Sequence, residues 1–243
     1  MNGRAAAPAR PSLARRCLAE ALGTGLLVGL GIGAIVAGDR VGGTSFVVLA
    51  IAWFLAVTVA IGSAVDRSGA HLNPAVTAAL SIGGRFPRRE VLPYLVAQLT
   101  GALVGSVAVL ALLGPGDRLG ATVPSTDDLV RPFAGELVFT FLLVLVVFQM
   151  PSDLRGRRWW IAAPGAVVAI ATFLIGPVSG SSLNPARTIA PALLTGAFTD
   201  LWVYLTAVPL GAIAAVPVAL GLARWRARTA GVDPSETRRV GVR

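Results

Sequence analysis

Four stretches of the chain carry no Asp, Glu, Lys or Arg: residues 41–65, 91–116, 159–186 and 201–223. Each reaches the roughly 20 residues that a helix needs to cross a bilayer. Residues 17–38 and 132–150 match them except for one carboxylate apiece, Glu20 and Glu136. The pattern therefore predicts six membrane-spanning helices. Two further apolar stretches, 75–82 and 186–194, make only about two turns each, and at about 1.5 Å per residue they reach part-way through a hydrocarbon core of about 30 Å. Each begins at an Asn-Pro-Ala, in "SGAHLNPAVT" (68–77) and "SSLNPARTIA" (181–190). Asn suits a helix N-cap, and Pro the first helical position, where its missing N–H has no partner to lose. Asn73, Pro74 and Ala75, and again Asn184, Pro185 and Ala186, thus predict two re-entrant half-helices preceded by irregular backbone. At membrane depth such backbone is tolerated only when buried in protein or lining a water-filled cavity, so a path for polar solute follows.

The halves of the chain repeat. "AEALGTGLLV" (19–28) aligns with "GELVFTFLLV" (135–144), placing Glu20 on Glu136 and Thr24 on Thr140 at an offset of 116, and the tripeptides recur at an offset of 111. Three spans per half is an odd number, so the second half starts on the opposite side of the membrane. The repeats are inverted, and equivalent elements meet near the midplane from opposite faces. The expected fold is an all-α membrane protein of six transmembrane helices and two half-helices in an inverted 3+3 repeat. A single channel domain is expected over 13–226, with repeats at about 13–113 and 130–226. Residues 1–12 and 227–243 are expected to be disordered tails.

Composition agrees with the pattern: 55% of residues are apolar and 14% charged. A net charge of +9 raises nucleic acid as a partner, but its placement argues against that. With six spans, 17 of the 21 arginines fall on one side, in the N-terminus, the second and fourth loops and the C-terminus. That bias makes both termini cytoplasmic in a cell inner (plasma) membrane, with no nucleic-acid role. The apolar run after the basic start exceeds a signal-peptide core and is expected to be a retained first helix. Cys17 alone forms no internal disulfide or thiolate cluster and is expected to be a small buried side chain. One His, one Cys and no paired intramembrane carboxylates leave no metal site, no cofactor site and no nucleophile with a base, which excludes an enzyme. Gly25, Gly29 and Gly33, with Gly101 and Gly105, stand at small-xxx-small spacing and predict close helix packing. Trp159, Trp160 and Trp202 at span ends predict interfacial anchors.

Two complete tripeptides in inverted repeats, an Arg after only the second, and the paired glutamates together resemble the major intrinsic protein family, the aquaporins and glycerol facilitators, from residue 17 to about 224. The resemblance implies a passive channel for water and small uncharged solutes, assembled as a homotetramer and closed to protons and ions. It implies that the amides of Asn73 and Asn184 donate to the permeating molecule. It also implies acceptor ladders formed by the carbonyls of Gly69, Ala70, His71 and Leu72, and of Gly180, Ser181, Ser182 and Leu183. The family's spacing places the selectivity filter at Trp53, Thr172, Ser181 and Arg187. That set is similar to the nodulin-26-like and related bacterial branch, which passes water, glycerol and small hydroxylated solutes including metalloid acids such as arsenous and boric acid. In the family, glutamates at the positions of Glu20 and Glu136 hold the loops before the half-helices, a structural task. His71 is read as a packed loop histidine rather than a pH gate. The competing class is an ion-coupled secondary transporter of a small neutral solute, because inverted repeats and broken helices are shared with it.

Overall fold

A computed structural model describes residues 10–151 and 158–229. Eight α-helices follow in order: α1 Leu13–Arg40, α2 Phe46–Ser68, α3 Pro74–Ile82, α4 Val91–Leu113, α5 Val130–Gln149, α6 Ala162–Ser179, α7 Pro185–Thr195 and α8 Leu201–Thr229. All but α3 and α7 belong to the six segments long and apolar enough to cross a membrane, and the two exceptions are the half-helices.

The span limits differ from the charge-free stretches for identifiable reasons. Ser12 and Ser45 cap α1 and α2 by accepting the N–H groups of Arg15 and Val48, so caps, not the nearest charge, set those starts. Arginines are accommodated in end turns, where long side chains reach the interface, and α8 accordingly runs on to Thr229, past the expected boundary at 226. The stretch 159–186 is not one helix: α6 ends at Ser179, and Gly180 at φ 75° turns the chain left-handed. Positions 1–9 and 230–243 of the expected tails lie outside the described residues, as do 152–157 with Arg155 and Arg157.

Packing follows the inverted repeat. α1 pairs with α4 as α5 pairs with α8, and α2 and α6 pack together between them. The half-helices cross over: α3 of the first half packs on α8 of the second, and α7 packs on α4. The long helices show aliphatic side chains outward, including Leu22, Ile51, Val104 and Ile170, while Glu20, Gln98 and Glu136, and Arg187 of α7, are buried. Polar groups inside an apolar surface suit a bilayer as solvent.

Glycines set the helix separations. A methyl group at Gly101 would lie 2.0 Å from the Ala21 carbonyl oxygen, and one at Gly105 2.3 Å from that of Gly25, so α1 and α4 touch through their backbones. The equivalent pair α5 and α8 does the same at Gly211, where a methyl group would lie 2.2 Å from the Leu137 oxygen. Because backbone cannot swing aside, Gly101→Val is expected to destabilise by about 3 kcal/mol or more. Thermal unfolding followed by size-exclusion chromatography in detergent should show this, with Gly221→Ala, whose methyl group would meet nothing within 4 Å, as a control expected to melt no lower than the parent. Equal melting of the two variants would mean that α1 and α4 do not need this contact.

Candidate permeation site

Each loop before a half-helix is held in an unusual backbone. Gly69, Ala70 and Leu72 have φ of 92°, 51° and 51°, and Gly180, Ser181 and Leu183 have φ of 75°, 48° and 55°. Left-handed conformations at four non-glycine residues are unfavourable by about 1–3 kcal/mol each unless the surroundings over-determine them. Two buried carboxylates do so. Glu20 accepts the N–H groups of His71 and Leu72 at 3.0 and 2.7 Å, and Glu136 those of Ser182 and Leu183, both at 2.8 Å. A third donor completes each: Gln98 Nε2 at 2.7 Å on Glu20, and the Ser179 hydroxyl at 2.9 Å on Glu136.

This clamp orients the carbonyls. In a planar trans peptide the C=O points opposite to the following N–H. The carbonyls of Ala70 and His71 therefore face away from Glu20, and those of Ser181 and Ser182 away from Glu136. Gly69 and Gly180 are aligned in turn, since the N–H groups of Ala70 and Ser181 bond the hydroxyls of Ser68 and Ser179, both at 3.0 Å.

At the junction of the halves the asparagines cross. Asn73 Oδ1 accepts the N–H of Ala75 at 2.9 Å and Asn184 Oδ1 that of Ala186 at 2.9 Å, each capping its own half-helix. Asn73 Nδ2 then donates to the Leu183 carbonyl at 2.7 Å, and Asn184 Nδ2 to the Leu72 carbonyl at 2.9 Å. With the oxygen committed, neither amide can flip, and each NH2 keeps one unused N–H. The last rung of each expected ladder thus has a second task that sequence did not reveal: it holds the opposite asparagine.

A cavity runs past these groups. Its wall pairs residues of the two halves at the repeat offsets: Leu27 with Leu143, Val57 with Val168, Leu72 with Leu183 and Asn73 with Asn184. Gly69, Ala70, His71 and Ser182 add backbone polarity to otherwise apolar sides. The symmetry breaks at the ends. Trp53 and Arg187 occupy one end, where their equivalents by the offset of 111 are Pro164 and Val76.

Arg187 is 1% exposed, with Nη1 donating to the Gly120 carbonyl at 2.7 Å and its guanidinium carbon 5.0 Å from the centre of the Trp53 indole. Gly120 is presented by three successive left-handed residues, Arg118, Leu119 and Gly120, at φ 56°, 52° and 61°. Of the expected filter residues the structure brings Trp53 and Arg187 together. Thr172 is buried in α6 with its hydroxyl donating to the Val168 carbonyl at 2.9 Å, and the buried Ser181 hydroxyl has no hydrogen-bond partner among the described residues. Neither lies in the cavity wall. Thr188 points into scaffold, bonded to Thr122 at 2.9 Å and to Ser182.

His71 packs against both Phe86 and Tyr94, ring centres 4.7 and 5.1 Å away, with Nδ1 3.1 Å from the Thr77 hydroxyl. Several supports were missed in the sequence. Tyr94 and Tyr204 donate to the carbonyls of Ser68 and Ser179 and pin the ends of α2 and α6. Their offsets of 110 and 111 match the tripeptides and were the signal. Gln98 has no counterpart at that spacing and gave none. Arg16, buried against Glu90 at 2.6 and 2.9 Å, joins α1 to the turn before α4; counted only as topological charge, it is a structural ion pair.

Comparison with known proteins agrees with this arrangement. A family model described as "Major intrinsic protein" matches residues 8–218. The chain is 42% identical over 205 residues to Aquaporin NIP1-3 of Oryza sativa subsp. japonica, covering 83% of this chain and 71% of that one. It is 36% identical over 203 residues to Nodulin-26 of Glycine max, with coverage of 82% and 74%. Among solved structures, the aquaglyceroporin from Plasmodium falciparum superposes with a TM-score of 0.73 at 29% identity, over 85% of this chain and 95% of that one.

Proposed function

The chain belongs to the major intrinsic protein family, and from that premise we propose how its lumen selects. It is a passive channel for water and small uncharged solutes, and it is not an enzyme. The observation that carries the finer reading is the crossed pair of asparagines, each with a single N–H left for a permeating oxygen. Carbonyls of Gly69, Ala70 and His71 on one side, and of Gly180, Ser181 and Ser182 on the other, accept from the permeant. Those of Leu72 and Leu183 mainly orient the asparagines. A water at the centre accepts from Asn73 and Asn184 and donates outward, which interrupts a proton wire, while two positive half-helix ends repel cations. Trp53 and Arg187 wall the filter, the indole facing a carbon backbone and the guanidinium donating to hydroxyls, while the small Thr172 and Ser181, set back from the cavity wall, complete it by leaving room. Glycerol-like polyols pass with water, as do metalloid acids such as arsenous and boric acid, which are uncharged near neutral pH.

The proposed setting is a homotetramer in the cell inner (plasma) membrane with both termini cytoplasmic. A coupled transporter would need a carboxylate facing the permeant. Glu20 and Glu136 instead direct their oxygens to loop N–H groups, and neither lies in the cavity wall.

Stopped-flow light scattering on proteoliposomes tests the proposal. Water and glycerol permeability are expected well above empty liposomes, without an ion gradient and without collapse of an imposed pH gradient. Permeabilities indistinguishable from empty liposomes for water, glycerol, urea and boric acid would sink the channel reading; solute-dependent loss of the pH gradient would favour coupling.

A further inference from the structure

Gly31 lies one turn after Leu27 on the lumen-facing stripe of α1, in mid-helix, where glycine is unfavourable by roughly 1 kcal/mol relative to alanine. No turn or left-handed angle calls for it there. Its surroundings do: a methyl group at Gly31 would lie 2.3 Å from both Cη2 and Cζ3 of Trp53 and 2.6 Å from Cζ2. Ordinary carbon contacts are about 3.5–4.0 Å, so the far edge of the indole occupies the space that any side chain at 31 would fill. The offset that relates α1 to α5 places Val147 opposite Gly31, and the one relating α2 to α6 places Pro164 opposite Trp53. One end of the lumen combines a side chain at the first position with a small ring at the second. The other end removes the first side chain and enlarges the second.

We propose that Gly31 is a specificity-determining position, which by lacking a side chain seats the Trp53 indole against α1 and holds open the gap between Trp53 and Arg187. The inference rests on the reading of Trp53 as a filter residue. α1 cannot retreat from a larger residue, because its opposite face is in backbone contact with α4 at Gly101 and Gly105. The indole must move instead, and it moves toward the Arg187 guanidinium, 5.0 Å from its centre. Alanine at 31 therefore narrows the passage for a carbon-backbone solute before it stops water.

The test is a double-mutant cycle in proteoliposomes, with Gly31→Ala, Trp53→Ala and the double variant assayed for water and glycerol by stopped-flow and normalised to folded protein by size-exclusion chromatography. Gly31→Ala is expected to lower the glycerol-to-water permeability ratio about tenfold in the Trp53 background and by less than about twofold in the Trp53→Ala background. Should Gly31→Ala not fold, the double variant is expected to fold and conduct, because the group that the methyl meets is gone. An equal fall of water and glycerol in both backgrounds, or failure of both Gly31→Ala and the double variant to fold, overturns the proposal. If Trp53→Ala itself leaves the ratio unchanged, the filter reading has failed, a result distinguishable from failure at Gly31 alone.

Discussion

Arg187→Ala is expected to give a channel that passes larger neutral solutes faster than the parent and no longer excludes cations fully. Two physical effects separate in this substitution. The first is volume: the guanidinium is buried against the Trp53 indole and the Gly120 carbonyl and lines the cavity, so its removal widens that end. The second is charge. At an effective dielectric of about 20, a fixed positive charge about 5 Å from a permeating cation raises its energy by about 3 kcal/mol, roughly a 10²-fold barrier in rate. The half-helix ends of α3 and α7 remain, so a partial leak is expected rather than an open cation pore. Arg187→Lys separates the effects, because ammonium keeps the charge but cannot hold the planar contacts with Trp53 and Gly120. It should retain exclusion of Na⁺ while relaxing solute selection. Stopped-flow with glycerol and larger polyols, and a fluorescent cation-leak assay, read the two effects apart. If Arg187→Ala keeps the parent's selectivity in both assays, Arg187 is not a filter residue.

What sequence shows of this site depends on whether the task of a residue is local. The half-helix starts were legible at Asn73 and Asn184 because an N-cap followed by Pro is a short-range signal, and the structure begins α3 and α7 at Pro74 and Pro185. The paired glutamates were legible because a carboxylate in an apolar run is costly and the second copy repeats it. The end of α6 was not legible from charge, because the turn at Gly180 is made of neutral residues whose polar groups are satisfied by distant partners. Gly120 gave no signal at all: its carbonyl holds Arg187 across 67 positions of chain, and nothing in its neighbourhood marks that. Crossing of Asn73 to Leu183 and of Asn184 to Leu72 was likewise hidden, since it exists only once the two halves are assembled.

Glu136→Gln is expected to cost flux and stability together, although it removes only a charge and keeps the shape. Both carboxylate oxygens of Glu136 accept backbone N–H groups, from Ser182 and Leu183, and one also accepts the Ser179 hydroxyl. An amide offers one oxygen, and its NH2 would face an N–H with nothing to accept it. Leaving one such buried donor unsatisfied costs about 1–3 kcal/mol, and the lost bonds were to a charged group. Those bonds hold Ser181 and Leu183 at φ 48° and 55°. Once released, the loop relaxes toward ordinary backbone angles, turning the carbonyls of Ser181 and Ser182 and withdrawing Leu183 from Asn73. Water permeability per folded molecule is expected to fall about tenfold, with a lower melting temperature, and Glu20→Gln should act alike through His71 and Leu72. A proton-relay role makes the opposite forecast: Gln would leave melting and passive flux intact and abolish only transport driven by an imposed pH gradient. Wild-type melting together with wild-type passive flux in Glu136→Gln would remove the clamp from the explanation of this pore.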